Sequence, residues 1–365
     1  MEKYAAQEAV ILIPSLEPDS RLPAYIRRLK EGGFARIVVV DDGSPESFQP
    51  IFQEIESIED TTVLHHEVNK GKGTALKTGY SWILENIADQ ITGVITADAD
   101  GQHTVEDCLM LAGKLEAGER ALYLGSRDFN RENIPPKSRY GNKMTSIVYK
   151  LLYGQYLPDT QTGLRAFRKE ELKFMIDVEG ARFEYEMKVL IACSRARIPI
   201  IPVPIETIYE NENEGTHFHP IRDSIRIYKV ILGSFFRFMA SSLACVAIDQ
   251  GVFNLLNLVV FANGTVKSGK IILLCTVIAR LISACTNFLL NRRLVFRDRG
   301  QAGKSFLRYV ILSAAIVLAS AGGTWLLGKT GMSSTVAKLI TDTLLYFVSY
   351  RFQERWVFRG EKQYG

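Results

Sequence analysis

The chain is poor in cysteine: five residues among 365 (Cys108, Cys193, Cys245, Cys275 and Cys285), scattered and never in Cys-x-x-Cys spacing. That excludes a disulfide framework and a thiolate zinc site, and leaves buried free thiols. A charged-then-apolar leader is also missing. The run Ala9-Val10-Ile11-Leu12-Ile13 is too short to span a bilayer, so the N-terminal half is expected on the cytoplasmic side. No strong excess of one charge exists, the formal net charge being +4, and no nucleic-acid partner is expected. The glycine-rich stretch Asn69-Lys70-Gly71-Lys72-Gly73-Thr74 has the wrong order and spacing for a Walker A loop.

What is present divides the chain in two. A mean hydropathy near zero averages an ordinary α/β pattern up to about residue 220 with a region of long apolar runs beyond it. Four such runs, at about 238–262, 271–290, 309–327 and 335–352, each approach the roughly 20 residues that cross a bilayer as a helix. The linker between the second and third carries Arg292, Arg293, Arg297, Arg299 and Lys304, and the tail Arg351, Arg355, Arg359 and Lys362. The other two loops hold only Lys267 and Lys270, and Lys329. The positive-inside bias then places both termini in the cytoplasm, at the plasma membrane. A faint internal repeat joins Phe288-Leu-Leu-Asn-Arg-Arg-Leu-Val-Phe-Arg297 to Tyr350-Arg-Phe-Gln-Glu-Arg-Trp-Val-Phe-Arg359, as two similar helical hairpins would. Asp249, Arg280 and Asp342 sit inside the apolar runs, where charge is expensive and faces a partner or a wet cavity; Asp249 with Arg280 is the expected pair.

In the first half, short β-branched runs (10–13, 37–40, 62–65, 93–96) alternate with helical spacing at 21–32 and 72–85. Strands alternating with helices imply parallel β-α-β units, whose ligands gather at the carboxyl ends of the strands. Those ends carry Pro14-Ser15, Asp41-Asp42-Gly43-Ser44 and Asp98-Ala99-Asp100. The last follows Gly93-Val94-Ile95-Thr96 and aims two acids at one hard cation, which can in turn hold a diphosphate. Asp41-Asp42-Gly-Ser reads either as a capped tight turn or as acceptors for a base or ribose. Glycines and lysines at 69–74 open a helix, where backbone amides can approach an anion, Lys70 assisting.

Together these segments resemble a family 2 glycosyltransferase of the GT-A fold, close to dolichyl-phosphate mannose synthases and bacterial polyprenyl-phosphate glycosyltransferases. The resemblance rests on Ile13-Pro14, Val39-Val40-Asp41-Asp42-Gly43-Ser44, Asn69–Gly73, Asp98-Ala99-Asp100-Gly101-Gln102-His103, Gly125-Ser126-Arg127 and Asp159-Thr-Gln-Thr-Gly-Leu-Arg165. The apolar half resembles the GtrA-like membrane domain that some of these synthases carry. The resemblance implies an α/β GT-A domain (Rossmann-like, mostly parallel sheet) at 1–210, a juxtamembrane connector at 211–236, and an all-α four-helix transmembrane domain at 237–365. It implies that Pro14, Glu17, Asp42 and Ala99 line the nucleotide pocket, and that Asp98, Asp100 and Gln102 hold Mg²⁺ or Mn²⁺ on the diphosphate. Arg127 and Arg139 would receive the lipid phosphate, and Asp159 matches an acid near the reaction centre. One departure is Pro14-Ser15-Leu16-Glu17, where many relatives carry an aromatic that stacks on the base.

The activity implied is transfer of one sugar, from GDP-mannose or UDP-glucose, to a polyprenyl phosphate at the cytoplasmic membrane face, metal-dependent and inverting. An ionised phosphate monoester is already nucleophilic and needs cations rather than a strong base, and guanidinium forks suit it. Asp159 is expected to orient an arginine, Arg165 being the candidate. In the connector, Arg222, Arg226 and Lys229 share one helical face and Ile221, Ile225, Tyr228 and Leu232 another, as in a helix lying on an anionic bilayer. His217, His219 and Arg222 could close over the acceptor phosphate. A processive polysaccharide synthase is the competing enzyme; its Gln-x-x-Arg-Trp motif is one residue short in Gln353-Glu354-Arg355-Trp356. A flippase or scaffold that only binds nucleotide is the non-catalytic alternative, and the metal-type acids count against it. Homo-oligomerisation stays open.

Overall fold

The computed structural model describes residues 6–116, 118–129, 136–206, 220–261, 269–298 and 300–359. The chain divides into two compact units, Met1–Ile231 and Leu232–Gly365.

The first unit is built on a seven-stranded sheet in the order β3-β2-β1-β4-β6-β5-β7. Its first strands are β1 (Ala9–Ser15), β2 (Arg36–Asp41), β3 (Thr61–His65) and β4 (Gly93–Thr96), all paired in parallel. The helices α1 (Arg21–Glu31), α2 (Gln49–Glu56) and α3 (Lys72–Asn86) connect them. After α4 (Val105–Glu116) come β5 (Leu122–Arg127), α5 (Pro136–Tyr153) and β6 (Arg165–Arg168), which runs antiparallel to both β4 and β5. The unit continues with α6 (Leu172–Asp177), α7 (Glu184–Ala196) and β7 (Ile200–Ile205), parallel to β5. Every residue of β1 is buried, as expected of a strand covered on both faces by crossover helices. Ile11, Ile13, Val39 and Ile95 meet Leu22, Ile26, Phe52, Leu111 and Leu115 in the main core. Register aligns the strand ends, Ser15 opposite Asp41 and Asp41 opposite His65. The alternation read from the sequence is therefore the alternation that forms, and it delivers the polar residues to one edge.

Next come α8 (Pro220–Phe261) and then, in the second unit, α9 (Gly269–Leu290), α10 (Ala302–Gly328) and α11 (Ser334–Phe352). The expected connector helix and first span are one helix: α8 starts in the first unit and runs on without a break, because no proline or glycine pair interrupts 221–260. Among the described residues three helical stretches, Ser224–Leu256, Ile272–Val295 and Ala302–Gly328, are long and apolar enough to cross a membrane. The fourth expected run does form a helix, but Lys338, Asp342 and Arg351 dilute it, and it is not among those three. The repeat has a structural counterpart. Asn291–Val295 and Gln353–Val357 are both π-helical turns, and their first residues bond each other, Asn291 Nδ2 donating to Gln353 Oε1 at 3.0 Å in a buried setting. Asp249 and Arg280 do form an ion pair, at 3.5 Å. Asp342 is held by Lys338 at 3.0 Å and by the Ser320 hydroxyl. Four of the five thiols are buried and Cys285 is exposed.

Candidate active site

Backbone geometry at the carboxyl edge of the sheet makes the site. After β2 the chain turns at Gly43, whose φ of +78° favours glycine. Asp41 Oδ1 accepts the Ser44 amide at 2.8 Å, and its Oδ2 lies 3.0 Å from His65 Nδ1. Asp42 reaches further: Oδ1 accepts the Lys70 amide at 3.0 Å and lies 2.8 Å from His66 Nδ1, and Oδ2 accepts the Gly71 amide at 2.7 Å. The anion approached by the amides of the glycine-rich loop is thus the protein's own Asp42. Gly71 (φ +95°) is required for a second reason, since a Cβ there would sit 2.5 Å from the Ala181 carbonyl oxygen. Pro14 is buried at the end of β1, and Ser15 Oγ beside it is buried without a hydrogen-bond partner. Glu17 is exposed, at a φ of +50°, with its amide on Ser44 Oγ at 2.9 Å. Lys70 is exposed and Ala99 half-buried.

Asp98 lies just past β4. Lys72 Nζ donates to its Oδ1 at 2.7 Å and also lies 3.1 Å from Glu186 Oε1, while His103 Nε2 lies 3.2 Å from Asp98 Oδ2. Burial by itself would raise the Asp98 carboxyl, but Lys72 and His103 outweigh it and hold that carboxyl well below the usual range. Burial likewise opposes the Lys72 ammonium, and Asp98 and Glu186 overcome it to keep the amine above its ordinary value. Asp100 behaves in the opposite sense: burial, then the negative charge of Asp98, push its carboxyl up. Its Oδ1 accepts the Gln102 amide at 3.0 Å.

Asp98, Gln102, His103, Arg127, Gln161, Thr162, Gly163 and Glu206 line one cavity. Arg127, at the end of β5, closes a fork on Asp159: Nε to Oδ2 at 2.6 Å and Nη2 to Oδ1 at 3.3 Å. Asp159 is fully buried, so this is a desolvated, bidentate pair. It corrects the expectation for Arg165, which donates instead to the carbonyls of Thr162 (3.1 Å) and Glu186 (2.8 Å); its neighbours Leu164 and Ala166 pack in the main core, and the alternation of the strand turns Arg165 to the opposite face. Asn142 fixes the same loop, donating to the Pro158 carbonyl at 2.5 Å and accepting from the Thr160 amide at 3.2 Å. Arg139 is half-buried on α5, outside that cavity lining. His217 and His219 lie outside the described residues, as does the side chain of Arg222.

Glu206 in the cavity lining and Glu186 beside Lys72 have no local motif to mark them, whereas Gly163 stands inside the Asp159–Arg165 stretch. A Cβ on Gly163 would fall 2.3 Å from Asp98 Oδ1, so the backbone there is shaped to the carboxylate. Gly163→Ala is expected to push Asp98 aside and reduce turnover about 100-fold, the scale of an ångström misplacement. Steady-state rates measured beside a thermal melt check this: a lowered melting point accounting for the whole loss would contradict it.

The arrangement, a mostly parallel sheet with Asp-x-Asp on its carboxyl edge and a buried arginine–carboxylate fork beside it, is that of a GT-A sugar-transferring domain. Comparison with known proteins agrees. Residues 10–174 match the glycosyl transferase family 2 and residues 237–358 the GtrA/DPMS transmembrane domain. The chain is 30% identical over 233 residues to an uncharacterized protein of Methanocaldococcus jannaschii, covering 63% of this chain and 93% of that one. It is 31% identical over 216 residues to a UDP-N-acetylglucosamine–dolichyl-phosphate N-acetylglucosaminyltransferase of Methanococcus voltae (54% and 85% covered). To a polyprenol monophosphomannose synthase of Mycolicibacterium smegmatis it is 27% identical over 191 residues (50% and 71%). The chain belongs to glycosyl transferase family 2, as a membrane protein with a GtrA/DPMS-type second unit.

Proposed function

We propose that this enzyme transfers a single sugar from a nucleoside-diphosphate donor to the phosphate of a polyprenyl phosphate at the cytoplasmic membrane face. The observation that carries the reading is one cavity that joins a metal-type carboxylate, Asp98, to the guanidinium of Arg127. Two relatives, one named as a dolichyl-phosphate N-acetylglucosaminyltransferase and the other as a polyprenol monophosphomannose synthase, support the acceptor class. The basic loops at 291–306 and 351–362 support cytoplasmic termini and four passes.

The residues fit a divalent cation. Among the described residues no three His, Cys, Asp or Glu form a ready-made cage, but two carboxylates and an amide are hard oxygen donors that a diphosphate completes. The charge that Asp98 imposes on Asp100 is what a cation relieves. Asp98, Asp100 and Gln102 would hold Mg²⁺ or Mn²⁺, which when bound supplies neutralisation of the departing diphosphate. Lys72 and His103 keep Asp98 ionised and fixed. Asp159 presents Arg127 as a rigid fork, and Arg127 with Arg139 receives the acceptor phosphate. One acceptor oxygen forms a bond to the anomeric carbon as the bond to the diphosphate breaks on the opposite face, so configuration inverts. No proton need be removed, because the acceptor oxygen is already anionic. Pro14, Ser15, Glu17 and Ala99 line the donor side.

Membranes holding the enzyme are incubated with labelled UDP-N-acetylglucosamine, UDP-glucose or GDP-mannose and a polyprenyl phosphate. Labelled lipid is expected with one donor, abolished by EDTA and restored by Mn²⁺. Donor binding without labelled lipid from any of the three would refute the transferase reading, and labelling undiminished by EDTA would refute the metal.

A further inference from the structure

The charged groups of the cavity lining are not alike. Asp98 is held by Lys72 and His103, and Arg127 by Asp159. Glu206 lines the same cavity, yet among the described residues its carboxylate meets no cation and accepts no hydrogen bond. Its position is nevertheless fixed. β7 runs parallel to β5 with Ile205 opposite Arg127, so Glu206 is the first residue past β7, at the edge where Arg127 ends β5. There Asp107, in the first turn of α4, accepts the Glu206 amide on Oδ1 at 3.1 Å. Asp107 is 2% exposed, its own amide donates to Thr104 Oγ1 at 3.0 Å, and its Oδ2 is buried without a partner. Burying a carboxylate is costly. The hydrogen bond that this one accepts ties the backbone of Glu206 to the helix that follows Asp98 and Asp100.

A carboxylate is a demanding choice for this wall. It accepts hydrogen bonds and donates none, and it repels the phosphates that the proposed reaction brings to Asp98 and Arg127. Gln161, Thr162 and Gly163, which also line the cavity, are neutral and oppose neither phosphate. An unpaired carboxylate suits instead a neutral part of the substrate that is rich in O–H donors. Between a diphosphate held at Asp98 and an acceptor phosphate at Arg127, that part is the sugar. We infer that Glu206 is a specificity residue for the transferred sugar: its carboxylate accepts a hydrogen bond from a sugar hydroxyl and disfavours donors in which that hydroxyl is missing or masked. This role rests on the proposed transfer reaction and narrows its donors to sugars whose hydroxyl at that position is free. Proton removal is not its task, because the acceptor oxygen is already anionic.

The test compares the full chain with Glu206→Gln, using the nucleotide sugar that labels lipid and analogues that each lack one sugar hydroxyl. Glu206→Gln is expected to lower kcat/KM for the intact donor about 10- to 100-fold, the scale of a hydrogen bond to a charged group. One deoxy donor should already be poor with the unaltered enzyme and lose no more than about twofold further in the variant, because the two deletions remove the same contact. A merely structural residue would slow every donor by the same factor; that outcome overturns the role, as does an unchanged kcat/KM. Mn²⁺ affinity in the presence of nucleoside diphosphate should stay within about twofold, and its loss would make Glu206 a metal ligand and overturn the sugar contact. If the unaltered enzyme transfers no sugar, the reaction assignment fails, and calorimetry with Mn²⁺ decides the contact. UDP-N-acetylglucosamine, UDP-glucose or GDP-mannose should then bind more tightly than its nucleoside diphosphate, and Glu206→Gln should erase that margin. No margin in the unaltered protein, or an equal one in the variant, overturns the contact.

Discussion

Asp100→Ala is expected to lower sugar transfer roughly 1,000-fold, the loss typical of removing a group that stabilises charge developing on a leaving group. Among the described residues Asp100 pairs with no basic side chain, and its Oδ1 accepts the Gln102 amide, so its removal should cost little stability. Relief of the repulsion with Asp98 works in the same direction. A melting temperature at or above that of the parent, together with lost turnover and weakened Mn²⁺ binding in the presence of nucleoside diphosphate, is the expected combination. Turnover within about tenfold of the parent would remove Asp100 from the metal site. Asp98→Asn should differ, because Asp98 carries two partners, Lys72 and His103. Its loss leaves Lys72 against Glu186 alone, so activity and stability should fall together.

Arg127→Ala should have the second largest effect, and of another kind. Asp159 is 0% exposed and held in a two-point fork by Arg127. Removing the guanidinium strands a buried carboxylate, at a cost of about 3–5 kcal/mol. The variant is therefore expected to melt well below the parent, and a functional reading needs a gentler companion. Arg127→Lys keeps a charge but loses the planar fork. It should raise the acceptor KM about tenfold or more while leaving donor affinity nearly unchanged. Equal losses on donor and acceptor would contradict acceptor binding by Arg127. Asp159→Asn with Arg127 intact should give the same acceptor defect if Asp159 acts through the arginine. If only Arg127→Lys affects the acceptor, the positioning role of Asp159 is wrong.

Much of the site could be read before folding, for a local reason. Asp41-Asp42-Gly43-Ser44 and Asp98-Ala99-Asp100 lie directly after β-branched runs, and strand polarity in β-α-β units carries such ends to one edge. The partners of Asp41 and Asp42 needed coordinates to find. Their carboxylates bind the amides of Ser44, Lys70 and Gly71, so they build the edge on which a donor would rest. The glycine loop was legible as anion-binding but its anion was not, because Asp42 and Gly71 are far apart in sequence. Arg165 illustrates the same limit. Proximity to Asp159 along the chain suggested a pair, yet strand alternation, with Leu164 and Ala166 in the core, turns Arg165 to the carbonyls of Thr162 and Glu186.

By itself, the order of amino acids determined the division into an α/β half and an apolar half, the strand–helix alternation, the edge that carries the acids, and the repeat ending in Arg297 and Arg359. These follow from periodicity, turn chemistry and solvent preference, which act over a few residues. Only the tertiary structure decided that Lys72 bridges Asp98 and Glu186, that Arg127 takes Asp159, that Gly163 makes room for a carboxylate, and that Glu206 joins the cavity of Asp98 and Arg127. Each depends on which strands and helices become neighbours. Burial and hydrogen-bond geometry select such partners only once the chain has closed.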